Sequence, residues 1–328
     1  MSKIGLTGID SQLEARLEQQ LMKVEELLRS HIKGDYPLVV ETSRHLVEAG
    51  GKRLRPLLTL LAAQFGNENS RGIVESAVVC ELTHLATLYH DDVMDEAKLR
   101  RGVQSANDRW GNVVAILTGD YLFSKASDLL ADLGPEAVRL QAKTFERLVI
   151  GQICETQNKD KPDLTVENYL KVVSDKTASL IATSARFGAM LSGTANEQIE
   201  LLTQYGEKIG IAFQVADDVL DVASEMTESG KVPGTDLREG VPTLITLLVK
   251  QANNAADENL IKKLSGPVAE SEISSVLSEL RKHNAMNQAR EYLQSLAKEA
   301  NEILMKLPDI PARSALIKLT SLLVERSR

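Results

Sequence analysis

The sequence predicts an all-α protein, and three observations lead to that fold class. Apolar residues recur at three- to four-residue spacing with charged residues between them, as they do on one face of a helix. Alternating patterns typical of strands are scarce, and aromatic residues make up only 4% of the chain. No Pro- or Ser-rich linker divides the sequence, and no short-period repeat is visible. We therefore expect a single domain of many packed helices over 1–328.

The helices can be placed in order from apolar spacing and helix-ending residues. The first is indicated by five apolar residues at helical spacing: Leu13, Leu17, Leu21, Val24 and Leu28. Gly50-Gly51 interrupts the chain, Pro56 opens the next apolar segment, and that segment ends at Gly66. Further helices are predicted over 73–95, 113–133, 136–157, 166–192, 196–224, 242–252, 257–264, 270–282, 285–306 and 311–326.

Composition limits the classes of function. Apolar residues make up 43% of the chain, which is enough for a sizeable core, and the net charge of -8 argues against nucleic acid as the main partner. The two cysteines, Cys80 and Cys154, lie in apolar helical surroundings, so a disulfide framework is not indicated. The N-terminus lacks the apolar region of a signal peptide, and no stretch has the length of uncharged apolar residues that a membrane span needs. We expect a soluble cytoplasmic protein.

Two copies of one acidic pattern indicate the chemistry. They are Asp91-Asp92-Val93-Met94-Asp95 and Asp217-Asp218-Val219-Leu220-Asp221, each within an apolar stretch. On a helix, carboxylates at i and i+4 share one face and the one at i+1 flanks them. Three like charges there repel, and burying them is costly unless cations neutralise them. Mg²⁺ prefers such hard oxygen ligands and completes its shell with waters and substrate phosphates. The pair of motifs therefore predicts a metal–phosphate site.

Basic residues lie in loops near both motifs. Three cations follow a glycine pair in Gly51–Pro56, and two more follow the first motif: Lys52, Arg53, Arg55, Arg100 and Arg101. Lys176-Thr177 interrupts an apolar helix, and Lys231 lies in the loop after the second motif. Arg offers planar bidentate donors to phosphate, and Lys offers a mobile point charge. Such a site suits one polyanion bridged by metal and a second bound directly by cations.

These motifs resemble those of the trans-isoprenyl diphosphate synthases, also called polyprenyl synthetases. The resemblance covers nearly the whole chain and rests on four segments in family order: GGKRLRP at 50–56, ELTHLATLYHDDVMDEAKLRRG at 81–102, Lys176-Thr177, and FQVADDVLD at 213–221. It implies an isoprenoid synthase fold, with antiparallel helices around a central active-site cavity, and a homodimer. It also implies Mg²⁺-dependent head-to-tail condensation of isopentenyl diphosphate with an allylic diphosphate.

The resemblance assigns roles to individual residues. Asp91, Asp95 and Asp217 correspond to the main ligands of about three Mg²⁺ ions, with Asp92, Asp218 and Asp221 in supporting roles. The allylic diphosphate would be held by Arg100, Lys176 and Lys231, with Thr177 and Gln214 facing the departing group. The isopentenyl diphosphate site corresponds to Lys52, Arg55, His84 and Arg101, whereas His90 is expected to make structural hydrogen bonds. One departure is Val241, where many relatives have a lysine; Arg238 is a nearby candidate to replace it.

The helix before Asp91 carries information on product length. Counting back along roughly one face gives only small or medium side chains: Thr87, Ala86, Thr83, Cys80 and Val79. This leaves about 18 Å of helix without a bulky residue and predicts a long product, about 30–50 carbons, suited to quinone side chains. Facing helices could instead supply a floor to the tunnel, through Phe145, Phe187 or Met190.

Three alternatives are compatible with parts of this pattern. A short-chain synthase making farnesyl or geranylgeranyl diphosphate shares every catalytic residue. A class I terpene cyclase also has an aspartate-rich motif, but it has a different second motif and needs no cations such as Lys52, Arg55 and Arg101. A non-catalytic subunit of a heteromeric synthase would have lost carboxylates that this chain keeps, although the chain could be the catalytic half of a heterodimer. Because a long product is insoluble in water, the protein could also contact a membrane peripherally when it releases the product.

Overall fold

A computed structural model describes residues 6, 8–158, 161, 163–224, 233–252 and 254–325. In these residues the chain is helical almost throughout, as predicted. The helices are α1 (Ser11–His31), α2 (Pro37–Glu48), α3 (Leu54–Ala63), α4 (Ile73–Met94), α5 (Ala106–Trp110), α6 (Asn112–Leu133), α7 (Pro135–Asn158), α8 (Val166–Val173), α9 (Ser179–Leu191), α10 (Asn196–Ala223), α11 (Thr235–Glu239), α12 (Leu244–Ala252), α13 (Glu258–Lys263), α14 (Glu270–Lys282), α15 (Asn284–Leu304) and α16 (Pro311–Glu325). A π turn, Ser174–Ala178, joins α8 to α9, and a 3₁₀ turn, Ala255–Asp257, precedes α13.

Sequence patterns missed four short features. Helices α2, α5 and α11 were not predicted, and neither was the antiparallel pair of strands β1 (Leu99–Arg100) and β2 (Val103–Gln104). The strands are joined by Arg101 and Gly102, both with positive φ, as a two-residue hairpin turn requires. The helix predicted over 166–192 is divided by the π turn.

Contacts within the chain define two compact units. The first comprises Met1–Thr144, Thr183–Thr203 and Leu307–Ala315; the second comprises Phe145–Ala182, Gln204–Lys306 and Leu316–Arg328. The first unit contains the first acidic motif and the second unit contains the second motif. A single domain over 1–328 stays a prediction.

Helix α4 forms the centre of the first unit. It packs against α1, α3, α5 and α6, and most of its residues are buried. Its approach to α6 depends on Gly119, because a Cβ there would overlap the ring of His90 and lie 3.0 Å from the carbonyl oxygen of Ala86. His90 Nε2 also donates a hydrogen bond to the Ile116 carbonyl oxygen, 3.1 Å away, which is the structural role predicted for it. The acidic end of α4 is thus fixed by close packing.

The second unit has its own apolar core. Fully buried residues from α10, α12, α14 and α15 meet there: Val215, Val219, Ile245, Val276 and Leu293. Helix α12 packs against both α8 and α15. The N-terminus of α8 is closed by a reciprocal capping box between Thr165 and Asn168. This core holds the segment of α10 that carries the second acidic motif.

Both cysteines are free thiols. Cys80 is buried within α4, where burial raises the pKa of its thiol to about 12, and Cys154 on α7 is partly exposed. Among the described helices, none is both long and apolar enough to cross a membrane.

Candidate active site

The first acidic motif lies in the last turn of α4. Asp92 is fully buried, whereas Asp91 and Asp95 are partly exposed. The β1–β2 hairpin carries Arg100 back to this turn, and its Nε donates to Asp92 Oδ1 over 2.6 Å. Burial raises the pKa of Asp92, and the charge of Arg100 opposes that rise. The structure therefore separates a buried, paired central aspartate from two outer carboxylates that solutes can reach.

A buried carboxylate organises the basic residues beside α4. Glu81, on α4, lies 2.8 Å from Nη1 of Arg53 and 3.8 Å from Nη2 of Arg101. Arg53 also pairs with Glu25 of α1. Arg101 donates to the Leu46 carbonyl over 2.9 Å. Arg53, one of the three cations after the glycine pair and not assigned to either substrate, holds α1, α3 and α4 together through these pairs.

Arg55 and His84 form the less neutralised part of this cluster. Burial lowers the pKa of the Arg55 guanidinium, against the charge of Glu81, and its Nε has no hydrogen-bond partner in the described structure. Burial, reinforced by the charges of Arg55 and Arg101, lowers the pKa of His84 well below its usual value. His84 is therefore neutral at physiological pH and can still donate one hydrogen bond. A buried guanidinium with a spare donor is suited to an anion such as a diphosphate. Lys52, three residues before Arg55, is exposed.

The second acidic motif also has a buried central aspartate. Asp218 is 2% exposed and accepts hydrogen bonds from the Tyr169 hydroxyl at 2.5 Å and from Gln214 Nε2 at 3.0 Å. The backbone N–H of Leu244 also donates to it, at 3.3 Å. Burial raises the pKa of Asp218 to about 6, although these hydrogen bonds oppose the rise. Asp218 thus serves as an anchor for α8, α10 and the start of α12.

The outer aspartates of this motif differ from each other. Asp221 accepts hydrogen bonds from the backbone N–H groups of Thr235 at 3.1 Å and Asp236 at 3.2 Å, at the start of α11. It therefore fixes the start of α11. Asp217 is partly exposed on α10. Arg238 donates to Glu270 at 2.7 Å and to the Pro233 carbonyl, so its guanidinium is engaged in these contacts.

Lys176 and Thr177 lie within the π turn. Lys176 Nζ is 2.5 Å from Glu155 Oε2 on α7. Thr177 Oγ1 donates to Gln214 Oε1 over 3.2 Å, and Gln214 in turn reaches Asp218. Two predicted binding residues of the second unit, Thr177 and Gln214, are therefore linked to the second acidic motif, and a third, Lys176, pairs with Glu155. Lys231, the fourth, lies outside the described residues.

The donor sets of the two motifs fit Mg²⁺. All donors are carboxylate oxygens, and buried Oδ2 of Asp92 lacks a hydrogen-bond partner among the described atoms. No three His, Cys, Asp or Glu side chains of the described ranges are grouped so that they could hold a metal ion by themselves.

The predicted chain-length residues lie on the buried part of α4. Thr83 and Ala86 are fully buried, and Thr87 is nearly so. Thr87 bonds back to the His84 carbonyl at 2.8 Å, while Thr83 accepts a hydrogen bond from Gln141 of α7. Gln141 was not predicted as part of this region, because nothing in the local pattern of α7 shows which residue of α4 it contacts.

Comparisons with known proteins agree with this geometry. The polyprenyl synthetase family model matches residues 36–281. A nonaprenyl diphosphate synthase of Mycobacterium tuberculosis is 45% identical over 319 residues, covering 97% of this chain and 95% of that protein. A decaprenyl diphosphate synthase structure from Rhodobacter capsulatus has a TM-score of 0.89 at 33% identity and covers 97% of this chain and 99% of its own. A geranylgeranyl pyrophosphate synthase structure from Corynebacterium glutamicum, complexed with calcium and isoprenyl diphosphate, has a TM-score of 0.86 at 40% identity, covering 97% and 98%.

The all-α fold and its two aspartate-rich helix segments define an enzyme of the isoprenoid synthase class. The chain belongs to the polyprenyl synthetase family. This membership confirms the predicted family, the predicted fold and the predicted enzyme class, a trans-prenyltransferase.

Proposed function

We propose that the enzyme condenses isopentenyl diphosphate head-to-tail with an allylic diphosphate to make a long trans-polyprenyl diphosphate. One observation carries the proposal. Helix α4 bears two differently charged sites, the acidic turn at Asp91–Asp95 and the cationic surroundings of His84. They are separated by about 11 Å of helix rise. The acidic turn suits a diphosphate bridged by metal, and the cations suit a diphosphate bound directly.

The roles assigned to the residues follow from their charge. Asp91, Asp95 and Asp217 hold about three Mg²⁺ ions. When bound, Mg²⁺ stabilises the negative charge that builds on the leaving diphosphate. Arg100, Lys176 and Lys231 bind the allylic diphosphate, and Thr177 and Gln214 face it. Lys52, Arg55, His84 and Arg101 bind isopentenyl diphosphate.

The proposed reaction needs no Ser or Cys nucleophile. The allylic C–O bond breaks with its electron pair going to the diphosphate, and the double bond of isopentenyl diphosphate attacks the resulting allylic cation. A proton is then lost to the released diphosphate. Water would quench the cation, so the apolar residues behind Asp91 serve to keep the site dry.

Small side chains along α4 support a long product of about 30–50 carbons, since about 18 Å of helix lies behind Asp91. The names of the nonaprenyl and decaprenyl diphosphate synthases agree with this length. A short-chain product is the second candidate, because the Corynebacterium glutamicum relative is named for a geranylgeranyl product.

A homodimer is supported by an apolar face on α6. Val113 and Leu117, at i and i+4, are 70% and 60% exposed, and Ile116 beside them is 42% exposed. Exposed apolar groups at helical spacing are typical of an interface. Light scattering of the purified chain should give a dimer mass, and Leu117→Lys should lower it. We place the enzyme in the cytoplasm, with peripheral membrane contact during product release.

The decisive experiment measures elongation directly. Purified protein is incubated with Mg²⁺, radiolabelled isopentenyl diphosphate and each allylic primer in turn, and the dephosphorylated products are separated by chromatography. An Asp217→Asn preparation serves as the background control. Products beyond twenty carbons are expected. A distribution ending at fifteen or twenty carbons would establish the short-chain alternative, and elongation only after a second subunit is added would establish the heterodimer.

A further inference from the structure

The π turn at Ser174–Ala178 is built against α7. Residues 166–191 carry a continuous helical pattern, yet the hydrogen-bond register changes at this turn. Gly151 permits the contact, because a Cβ there would lie 2.5 Å from the backbone N of Lys176. Each added residue rotates the following side chains by about 100° around the helix axis. The direction of Lys176 and Thr177 therefore depends on this turn being kept.

Arg147, one turn before Gly151 on α7, binds the π turn at several points. Its Nε lies 3.0 Å from Asp175 Oδ1. Its Nη2 donates to the Ser174 carbonyl at 3.3 Å and to the Ser174 hydroxyl at 3.2 Å. Both terminal nitrogens reach Glu207 of α10, at 2.5 and 3.4 Å. One planar guanidinium thus links α7, the π turn and α10, a geometry that a lysine cannot reproduce.

Global stability alone does not account for this network. The Arg147 side chain is 39% exposed, and pairs with that much solvent contact contribute about 0–1 kcal/mol. Two carboxylates are nevertheless arranged around the one guanidinium, together with the Ser174 carbonyl, which also accepts the backbone N–H of Ser179 within the π turn. The contacts converge on the residues immediately before Lys176.

We propose that Arg147 is a positioning residue that acts through the π turn to direct Lys176 and Thr177 at the allylic diphosphate. The inference rests on the proposed function, because it takes the allylic diphosphate as the ligand of those two residues. Removing the guanidinium lets the turn relax toward regular α-helical register. Lys176 then turns away, and binding of the allylic substrate weakens while binding of isopentenyl diphosphate does not.

The test compares Arg147→Met with Arg186→Met. Methionine keeps most of the aliphatic stem, and Arg186 is a matched control because it forms an ion pair with Glu200 at 3.0 Å away from the π turn. For Arg147→Met we expect the KM for the allylic diphosphate to rise about tenfold, as the loss of charge-assisted hydrogen bonds implies. The KM for isopentenyl diphosphate should change less than about twofold. Arg147→Lys should give an intermediate KM for the allylic diphosphate, since lysine restores the charge but not the planar set of donors of a guanidinium.

Two further variants separate the possible failures. Glu207→Gln weakens the ion pair that holds Arg147 but keeps the Arg147 side chain, so it can replace Arg147→Met if that variant does not fold. It should raise the KM for the allylic diphosphate by less than Arg147→Met does. Lys176→Met tests the proposed function itself. Suppose that Lys176→Met raises the KM for the allylic diphosphate. If Arg147→Met and Glu207→Gln then leave that KM unchanged, or raise the KM values of both substrates equally, the positioning role is overturned and the proposed function stands. If Lys176→Met leaves the KM for the allylic diphosphate unchanged, Lys176 does not bind that substrate, and the positioning role of Arg147 is overturned with that assignment.

Discussion

Gln141 donates a hydrogen bond from Nε2 to Thr83 Oγ1 over 2.7 Å, and both side chains are buried. Thr83 precedes Asp91 by about 12 Å of helix rise. The Gln141 Oε1 lacks a hydrogen-bond partner in the described part of the chain, which costs about 1–3 kcal/mol for a buried acceptor. The small residues of α4 leave the space beside that helix open, but Gln141 of α7 places a polar side chain against the same helix.

Replacing Gln141 should change product length in both directions. Gln141→Ala removes the amide from Thr83 and should shift the products toward longer chains, whereas Gln141→Phe should shorten them. The measurement is chromatography of dephosphorylated products. Thr144→Val is the matched control, because Thr144 is one turn further along α7 and bonds to Thr183 at 2.6 Å instead. Identical product profiles for Gln141→Ala and Gln141→Phe would contradict a role in length control.

Ala86→Phe should shorten the product. Ala86 is fully buried, and Gly119 of α6 packs against its carbonyl oxygen. A phenyl ring there occupies the space that the growing chain needs, and overpacking should lower the free energy of unfolding by about 1–3 kcal/mol. Product analysis and thermal denaturation measure the two effects. Ala86→Ser, a change of similar size to the native residue, should leave the profile as it is. An unchanged product profile in Ala86→Phe would show that the growing chain does not run along this face of α4.

Arg53→Met should destabilise the protein. It removes the cation nearest to Glu81, whose side chain is only 3% exposed, and leaves Arg101 at 3.8 Å as the remaining partner. Breaking one partner of a buried pair leaves an under-compensated charge, so the free energy of unfolding should fall by about 3 kcal/mol. Urea denaturation measures this value. Adding Glu81→Gln should recover part of the loss; a double variant that is less stable than Arg53→Met would contradict the explanation.

The stability of the metal-free protein should depend on the ionisation of Asp218. Burial raises its pKa to about 6, so the folded chain keeps this proton in a pH range where the unfolded chain has released it. The contribution of Asp218 to the free energy of unfolding is therefore full below about pH 4 and falls as the pH rises through about 6. Over that range the free energy of unfolding of the wild type should fall by up to about 3 kcal/mol relative to that of Asp218→Asn. Urea denaturation in the presence of a chelator measures both values. A difference that grows in the opposite direction would contradict the assignment.

The sequence was sufficient for the long helices and for the chemistry of the motifs. Apolar spacing predicted α4, α6 and α10, because each is long enough for its periodicity to be clear. The structure buries and pairs Asp92 and Asp218, two of the three aspartates expected in supporting roles, while the metal-ligand roles of Asp91, Asp95 and Asp217 stay predictions.

What the sequence could not supply were contacts between helices. Arg53 and Arg55 are two residues apart and chemically identical, yet Glu25 and Glu81 neutralise the first. Such a difference depends on which side chains meet from α1 and α4. The π turn was missed for a similar reason: Gly151 and Arg147, which contact it, belong to another helix.

The different surroundings of the two cysteines provide a labelling site in the native enzyme. Cys80 is buried and its raised pKa keeps it as an unreactive thiol, so a maleimide should modify Cys154 alone. Cys154 directly precedes Glu155, the partner of Lys176. A fluorophore attached there needs no engineered cysteine and would sit beside the ion pair, where its emission could follow allylic substrate binding in real time.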